Sequence, residues 1–131
     1  MLSALPAAQR DARHALQDWL RALRWPDEAA DDVLLAVTEA VANVIDHAYP
    51  PARPGLVHMH AWVWADAAGE RRVTVSVIDR GRWRPPSPSR AEAGHRGRGL
   101  AMMGALTARL HLQPSDAGTT VIMVSHPVAV N

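Results

Sequence analysis

The stretch Leu34-Leu-Ala-Val-Thr-Glu39-Ala-Val-Ala-Asn43-Val-Ile-Asp-His47-Ala-Tyr49 decides how the chain is read. Val33, Val37, Val41, Val44 and Ala48 recur at three and four residues, with Leu34 and Ile45 on their flanks. That is the period of an amphipathic helix burying one stripe. Glu39, Asn43 and His47 fall four residues apart and form a polar row along the same helix. Alanine and valine surround Glu39 and Asn43, where a solvated face would carry several charges. Two readings stay open here. The row is a partly exposed polar edge, or it is a carboxylate and a carboxamide held for a ligand, with oxygens suited to a hard cation such as Mg²⁺.

Upstream, Pro6 opens a predicted helix to about Arg24, with Ala8, Ala12, Leu16, Trp19, Leu20 and Leu23 on its inward face. Residues 1–5 leave room for a short strand at most. Pro26 punctuates the chain, and Asp27, Glu28, Asp31 and Asp32 load the start of the next helix with the charge its dipole favours. Pro50-Pro51 stops that helix.

Downstream the period changes to two. From Leu56 to Ala65, Val57, Met59, Ala61 and Val63 alternate with His58, His60, Trp62 and Trp64. Asp66 to Glu70 reads as a hairpin loop, and Arg71 to Asp79 returns as a second strand. Asp79 shares the face of Val73, Val75 and Val77, so a carboxylate ends an apolar row and requires a compensating partner. An arginine, a backbone amide or a ligand can supply it. Residues 80–96 show no period and contain Pro85, Pro86 and Pro88, which reads as a long loop, either a functional lid or a disordered segment. Gly97-Arg98-Gly99 leads into an apolar segment, Leu100 to Leu110, predicted as helix. Glycines opening a helix let phosphate approach free N–H groups at its positive end. Gly118-Thr119-Thr120 starts a last strand to about Ser125. The sum is an α/β two-layer sandwich, a mixed and mostly antiparallel sheet with helices on one face. The other face would carry His58, His60, Trp62 and Trp64, either as a partner or dimer surface or simply half covered by loops.

With 131 residues, 48% of them hydrophobic and 21% charged, the chain fits one globular domain. No apolar run is long enough to span a bilayer and no signal peptide opens the chain, so a cytoplasmic protein is expected. Absence of cysteine removes disulfides, thiolate nucleophiles and zinc–thiolate sites. All fourteen basic residues are arginine. Without lysine there is no Gly-Lys-Ser/Thr phosphate loop, no strand lysine of the eukaryotic-type kinase fold and no Schiff base.

The order Glu39-x-x-x-Asn43, Asp79-x-Gly81, Gly97-x-Gly99 and Gly118-Thr119 resembles the four ATP-binding boxes of the GHKL superfamily of ATPases and kinases. The wording of 39–49, the short lid and Arg96-Gly-Arg-Gly-Leu-Ala-Met-Met103 look like the anti-sigma factor serine/threonine kinases. The resemblance covers nearly the whole chain and implies one ATP-binding kinase domain over 1–131, with its lid near 82–96. It implies ATP and Mg²⁺ as cofactors, with Asn43 coordinating the metal and Glu39 acting as general base toward an attacking hydroxyl. Asp79 would accept a hydrogen bond from the adenine amino group, Gly81 would let the chain turn beneath the base, and Thr119 would support that pocket. Gly97 and Gly99 would present N–H groups to the phosphates, and Arg98 and Leu100 belong to the same cofactor-binding turn. The implied activity is phosphorylation of a STAS-type anti-anti-sigma protein by a domain that also sequesters a sigma factor. A homodimer is a further partner suggested by the resemblance.

Three features depart from the pattern: Arg82 replaces a second glycine, Asp46 stands where many relatives carry a basic residue, and the first strand is cut to residues 1–5. The alternative is a non-catalytic ATP-binding regulatory module, against which the pairing of Glu39 with Asn43 speaks. Nucleic acid is a weaker reading: six arginines crowd 80–98 against Glu92 alone, but they meet ATP phosphates equally well. A metal site from His58 and His60 is weaker still, because no carboxylate or thiolate lies close in sequence.

Overall fold

The computed structural model describes residues 2–3, 6–44, 56–81, 101–115 and 118–129. Its elements are β1 (Leu2–Ser3), α1 (Pro6–Ala22), α2 (Asp27–Asn43), β2 (Leu56–Ala65), β3 (Arg71–Asp79), β4 (Arg109–Ser115) and β5 (Gly118–Val124). A helical segment over 101–106 precedes β4. The strands form one sheet in the order β1-β2-β3-β5-β4, and every pairing among them is antiparallel.

Both main helices obey the apolar spacing of the sequence. Ala8, Ala12, Leu16 and Leu20 of α1 are buried, as are Val33, Ala36, Val37, Ala40 and Val41 of α2. They cover the face formed by Val57, Val73, Val75, Val77, Val121 and Met123, and this single layer of side chains is the core. Each large aliphatic side chain removed from water contributes about 1.5–3 kcal/mol, so the shared stripe supplies most of the drive for the sandwich. α1 stops at Ala22, slightly before the predicted Arg24. Arg24 takes a positive φ of 58°, and Trp25 turns into the core. The Arg71 guanidinium lies 5.1 Å from the Trp25 ring centre and donates to the Leu23 carbonyl at 3.1 Å, tying this corner to β3. α2 then starts without a side-chain cap. Pro26 precedes it, and Asp27 and Glu28 occupy its first turn.

One predicted element is corrected. The apolar run 100–110 was read as a single helix, but the helical segment ends at 106 and Arg109 begins a strand. Thr107 donates its hydroxyl back to the Met103 carbonyl at 2.7 Å, and the Ala108 N–H already pairs with the Val124 carbonyl at 2.8 Å. Pairing with β5 therefore overrides the helical preference of the alanines and leucines. The last turn predicted for α2, with Asp46 and His47, lies outside the described residues, as does the segment read as a lid.

Between β2 and β3 the hairpin is organised by one carboxylate. Asp66 accepts from the N–H groups of Ala68 and Glu70 at 3.0 Å each and from Arg72 Nε at 2.9 Å. Gly69 takes φ 79°, which the turn requires. At this same end of β3, Ser125 interrupts the regular ladder: its Oγ accepts from Val73 N–H at 2.9 Å while its own N–H donates to the Val73 carbonyl. Pairing then resumes at Val128 with Arg71.

Candidate functional site

Asp79 is the last residue of β3 and only 2% exposed, so the carboxylate that ends the valine row is indeed buried. Register places it between two neighbours on the helix-covered face: Val57 of β2 on one side and Thr119 of β5 on the other. Thr119 is 4% exposed and Val57 is fully buried. A buried carboxylate flanked by an aliphatic side chain and a threonine puts one strong acceptor in an otherwise largely apolar row. The Gly81 N–H donates to Asp79 Oδ1 at 2.9 Å. That short turn fixes the rotamer of the carboxylate and brings the buried Gly81 backbone against it.

Two of these features escape sequence reading. Gly118, which the sequence marks as the start of the last strand and part of the fourth box but to which it gives no role, takes φ 135°, and a Cβ there would collide with the Asp79 carbonyl oxygen. Its missing side chain lets β5 pass directly against the backbone that carries Asp79. Val57 was assigned to the core face, but nothing in its spacing showed that it flanks Asp79; only register reveals that.

Glu39 and Asn43 sit on α2, four residues apart and both half-buried, on a helix whose other side packs on β3 and β5. α2 thus rests on the strand that ends at Asp79 and the strand that begins at Gly118. Among the described residues no three His, Asp or Glu side chains gather as a metal cage. Mg²⁺ is commonly held by one or two protein oxygens with substrate phosphates supplying the rest, and the half-buried Asn43 carboxamide fits that use. Gly97, Arg98, Gly99 and Leu100 lie outside the described residues. Met103, from the same box, is buried in the core and anchors the segment that follows them.

No helix among the described residues is long and apolar enough to cross a membrane. The fold recurs in known proteins. It is similar to the RsbU and RsbW domains of Rv1364c from Mycobacterium tuberculosis, with TM-score 0.67 and 26% identity over 98% of this chain and 32% of that one. It is also similar to the histidine kinase domain of a blue-light activated histidine kinase from Erythrobacter litoralis, with TM-score 0.55 and 22% identity over 76% of this chain and 45% of that one. The chain spans less than half the length of either protein. A family model for the histidine kinase-like ATPase domain matches residues 2–125. With nearly the whole chain matched and the buried Asp79–Thr119 pair in place, this chain belongs to the histidine kinase-like ATPase domain family, whose fold binds ATP.

Proposed function

We propose that this chain is an ATP-dependent protein-serine kinase that also acts as an anti-sigma factor, its substrate a STAS-type anti-anti-sigma protein. The observation that carries the nucleotide half is the buried Asp79, fixed by Gly81 N–H and flanked by Thr119. Such a carboxylate presents an acceptor to a purine amino group inside apolar walls. The likeness to a structure containing an RsbW domain supports the regulatory half of the reading.

In the proposed reaction the serine oxygen attacks the γ-phosphorus, the bond to the ADP oxygen breaks, and the hydroxyl proton passes to Glu39. Glu39 and Asn43 lie one helical turn apart, so base and metal ligand share one rigid element. Mg²⁺ bound through Asn43 would neutralise charge on the phosphates. Gly97 and Gly99 are proposed to cradle those phosphates through their N–H groups, with Arg98 and Leu100 in the same turn.

The test is transfer of radiolabelled γ-phosphate to a panel of STAS-domain proteins, beside calorimetric ATP binding. Glu39→Ala is expected to retain ATP binding and lose about 10²–10⁴-fold in transfer rate. A rate within a few fold of wild type would remove Glu39 from the chemistry. Tight ATP binding with no transfer to any STAS protein would favour the non-catalytic regulatory module.

A further inference from the structure

The helices cover one face of the sheet; on the other, Trp62, Trp64, Ile78, Ile122 and Val124 stand among polar positions such as His58, His60 and His111, with Thr74 and Ser76 buried between them. Trp62 and Trp64 stand there 47% and 38% exposed. The Trp64 indole N–H reaches across to the Thr74 hydroxyl at 2.8 Å, so that ring is fixed rather than loose. Across the same face Ile122 and Val124 of β5 are half-buried, and Arg109 and His111 of β4 are exposed beside them. At one end lies a hollow of about 270 Å³ lined by Trp64, Asp66, Ala67, Arg72, Arg109 and Val124.

Charge on this face has one sign. No aspartate or glutamate occupies any of its positions in β2, β3, β4 or β5. Asp66, at the mouth of the hollow, is engaged by Arg72 at 2.9 Å, and Arg72 also donates to the Ser125 carbonyl at 3.1 Å. The Arg109 side chain has no hydrogen bond or ion pair among the described residues. The hollow therefore joins an apolar floor to an unengaged guanidinium, and it lies by the N-terminal end of β3, the opposite end from Asp79.

We propose that this face docks an acidic amphipathic helix of a different protein, whose apolar stripe covers Trp62 and Val124 and whose carboxylates meet Arg109. A second copy of this chain packed on this face would add another Arg109 and, from the same strand positions, no carboxylate to meet it. A nucleic acid needs several phosphate contacts, and the described strand positions of this face carry two arginines, of which Arg72 is already engaged by Asp66. An exposed tryptophan beside a fixed tryptophan and an arginine has the composition of an interface centre. The inference stands apart from the nucleotide reading, because its residues take no part in that site.

The probe is a synthetic helical peptide of about 18 residues, five turns, with leucine along one stripe and glutamate on the flanks. A second peptide carries lysine for glutamate. Titration of the whole chain, followed by peptide anisotropy, should show saturable binding of the acidic peptide and at least tenfold weaker binding of the basic one. Trp62→Ser and Arg109→Glu should each weaken the acidic peptide by about tenfold or more, with ATP binding unchanged. Arg109→Glu should also gain affinity for the basic peptide, which loss of folding could not produce. Three outcomes would overturn the proposal: no saturable binding of the acidic peptide, equal binding of both peptides, or indifference to both substitutions. Sedimentation showing a dimer that Trp62→Ser dissolves would give the face to a second copy and overturn it as well. So would Trp62-dependent binding of a uridine oligomer in place of the acidic peptide.

Discussion

Asp79 illustrates how much one side chain owes to its neighbours. Burial penalises its charge, and the Gly81 N–H offsets part of that penalty at 2.9 Å. Asp79→Asn keeps size and shape but replaces an ionised acceptor with a neutral amide. A hydrogen bond to a charged group is worth roughly 1.5–3 kcal/mol, so ATP affinity should fall at least about tenfold while the thermal melt stays cooperative. Calorimetry on the folded variant decides; unchanged affinity would move the adenine slot elsewhere. Gly118 supports the same carboxylate from the other strand. Gly118→Ala places a Cβ against the Asp79 carbonyl oxygen at a φ that L-residues rarely adopt. Strain of this kind costs of order 1–3 kcal/mol before the collision is counted. Chemical denaturation should show a loss of at least that size, accompanied by weaker ATP binding because the backbone of Asp79 must shift.

At the scale of elements, the β2–β3 hairpin depends on Asp66. The Arg72 hydrogen bond, followed by the N–H groups of Glu70 and Ala68, holds the Asp66 carboxyl below the usual carboxylate range against the opposing effect of burial. A pKa lowered on folding contributes stability that is complete above the unfolded value near 4 and is lost as pH falls through the folded value. The melting temperature of wild type should exceed that of Asp66→Asn at neutral pH, and the gap should close as pH drops below about 4. A gap that persists at lower pH would mean the asparagine fails for a steric reason. Elements also mark where sequence reading succeeds and where it does not. α1, α2, β2, β3 and β5 are legible because each carries a clean period over a full face. β4 is not: Arg109, His111, Gln113 and Ser115 expose polar groups, Pro114 sits inside it, and Leu110 and Leu112 continue a run that scans as helix. Only its pairing with β5 makes it a strand, and that partner is distant in nature from any local signal.

For the whole molecule the same contrast applies to the site. Glu39 and Asn43 stand out as polar residues among alanines and valines, and Asp79 as a carboxylate ending an apolar row, whereas Gly81 and Thr119 are legible only through the resemblance of their boxes to a known family. Their convergence is not legible, since it depends on a sheet order in which β5 inserts between β3 and β4. This topology puts the residues proposed to hold the nucleotide on α2, β3 and β5, so a ligand held by all of them would bridge the helical layer and the sheet. Such a ligand binds the folded chain and has nothing to hold in the unfolded one. Binding at a hundredfold excess over Kd therefore adds about 2.7 kcal/mol to stability. ATP with Mg²⁺ should raise the melting temperature by several degrees, ATP with a chelator by less because Asn43 then lacks its bridge to the phosphates, and neither should act on Asp79→Asn. Equal stabilisation with and without Mg²⁺ would leave the adenine slot intact and remove Asn43 as a metal ligand. Stabilisation that survives in Asp79→Asn would show that ATP rests on some other part of the molecule.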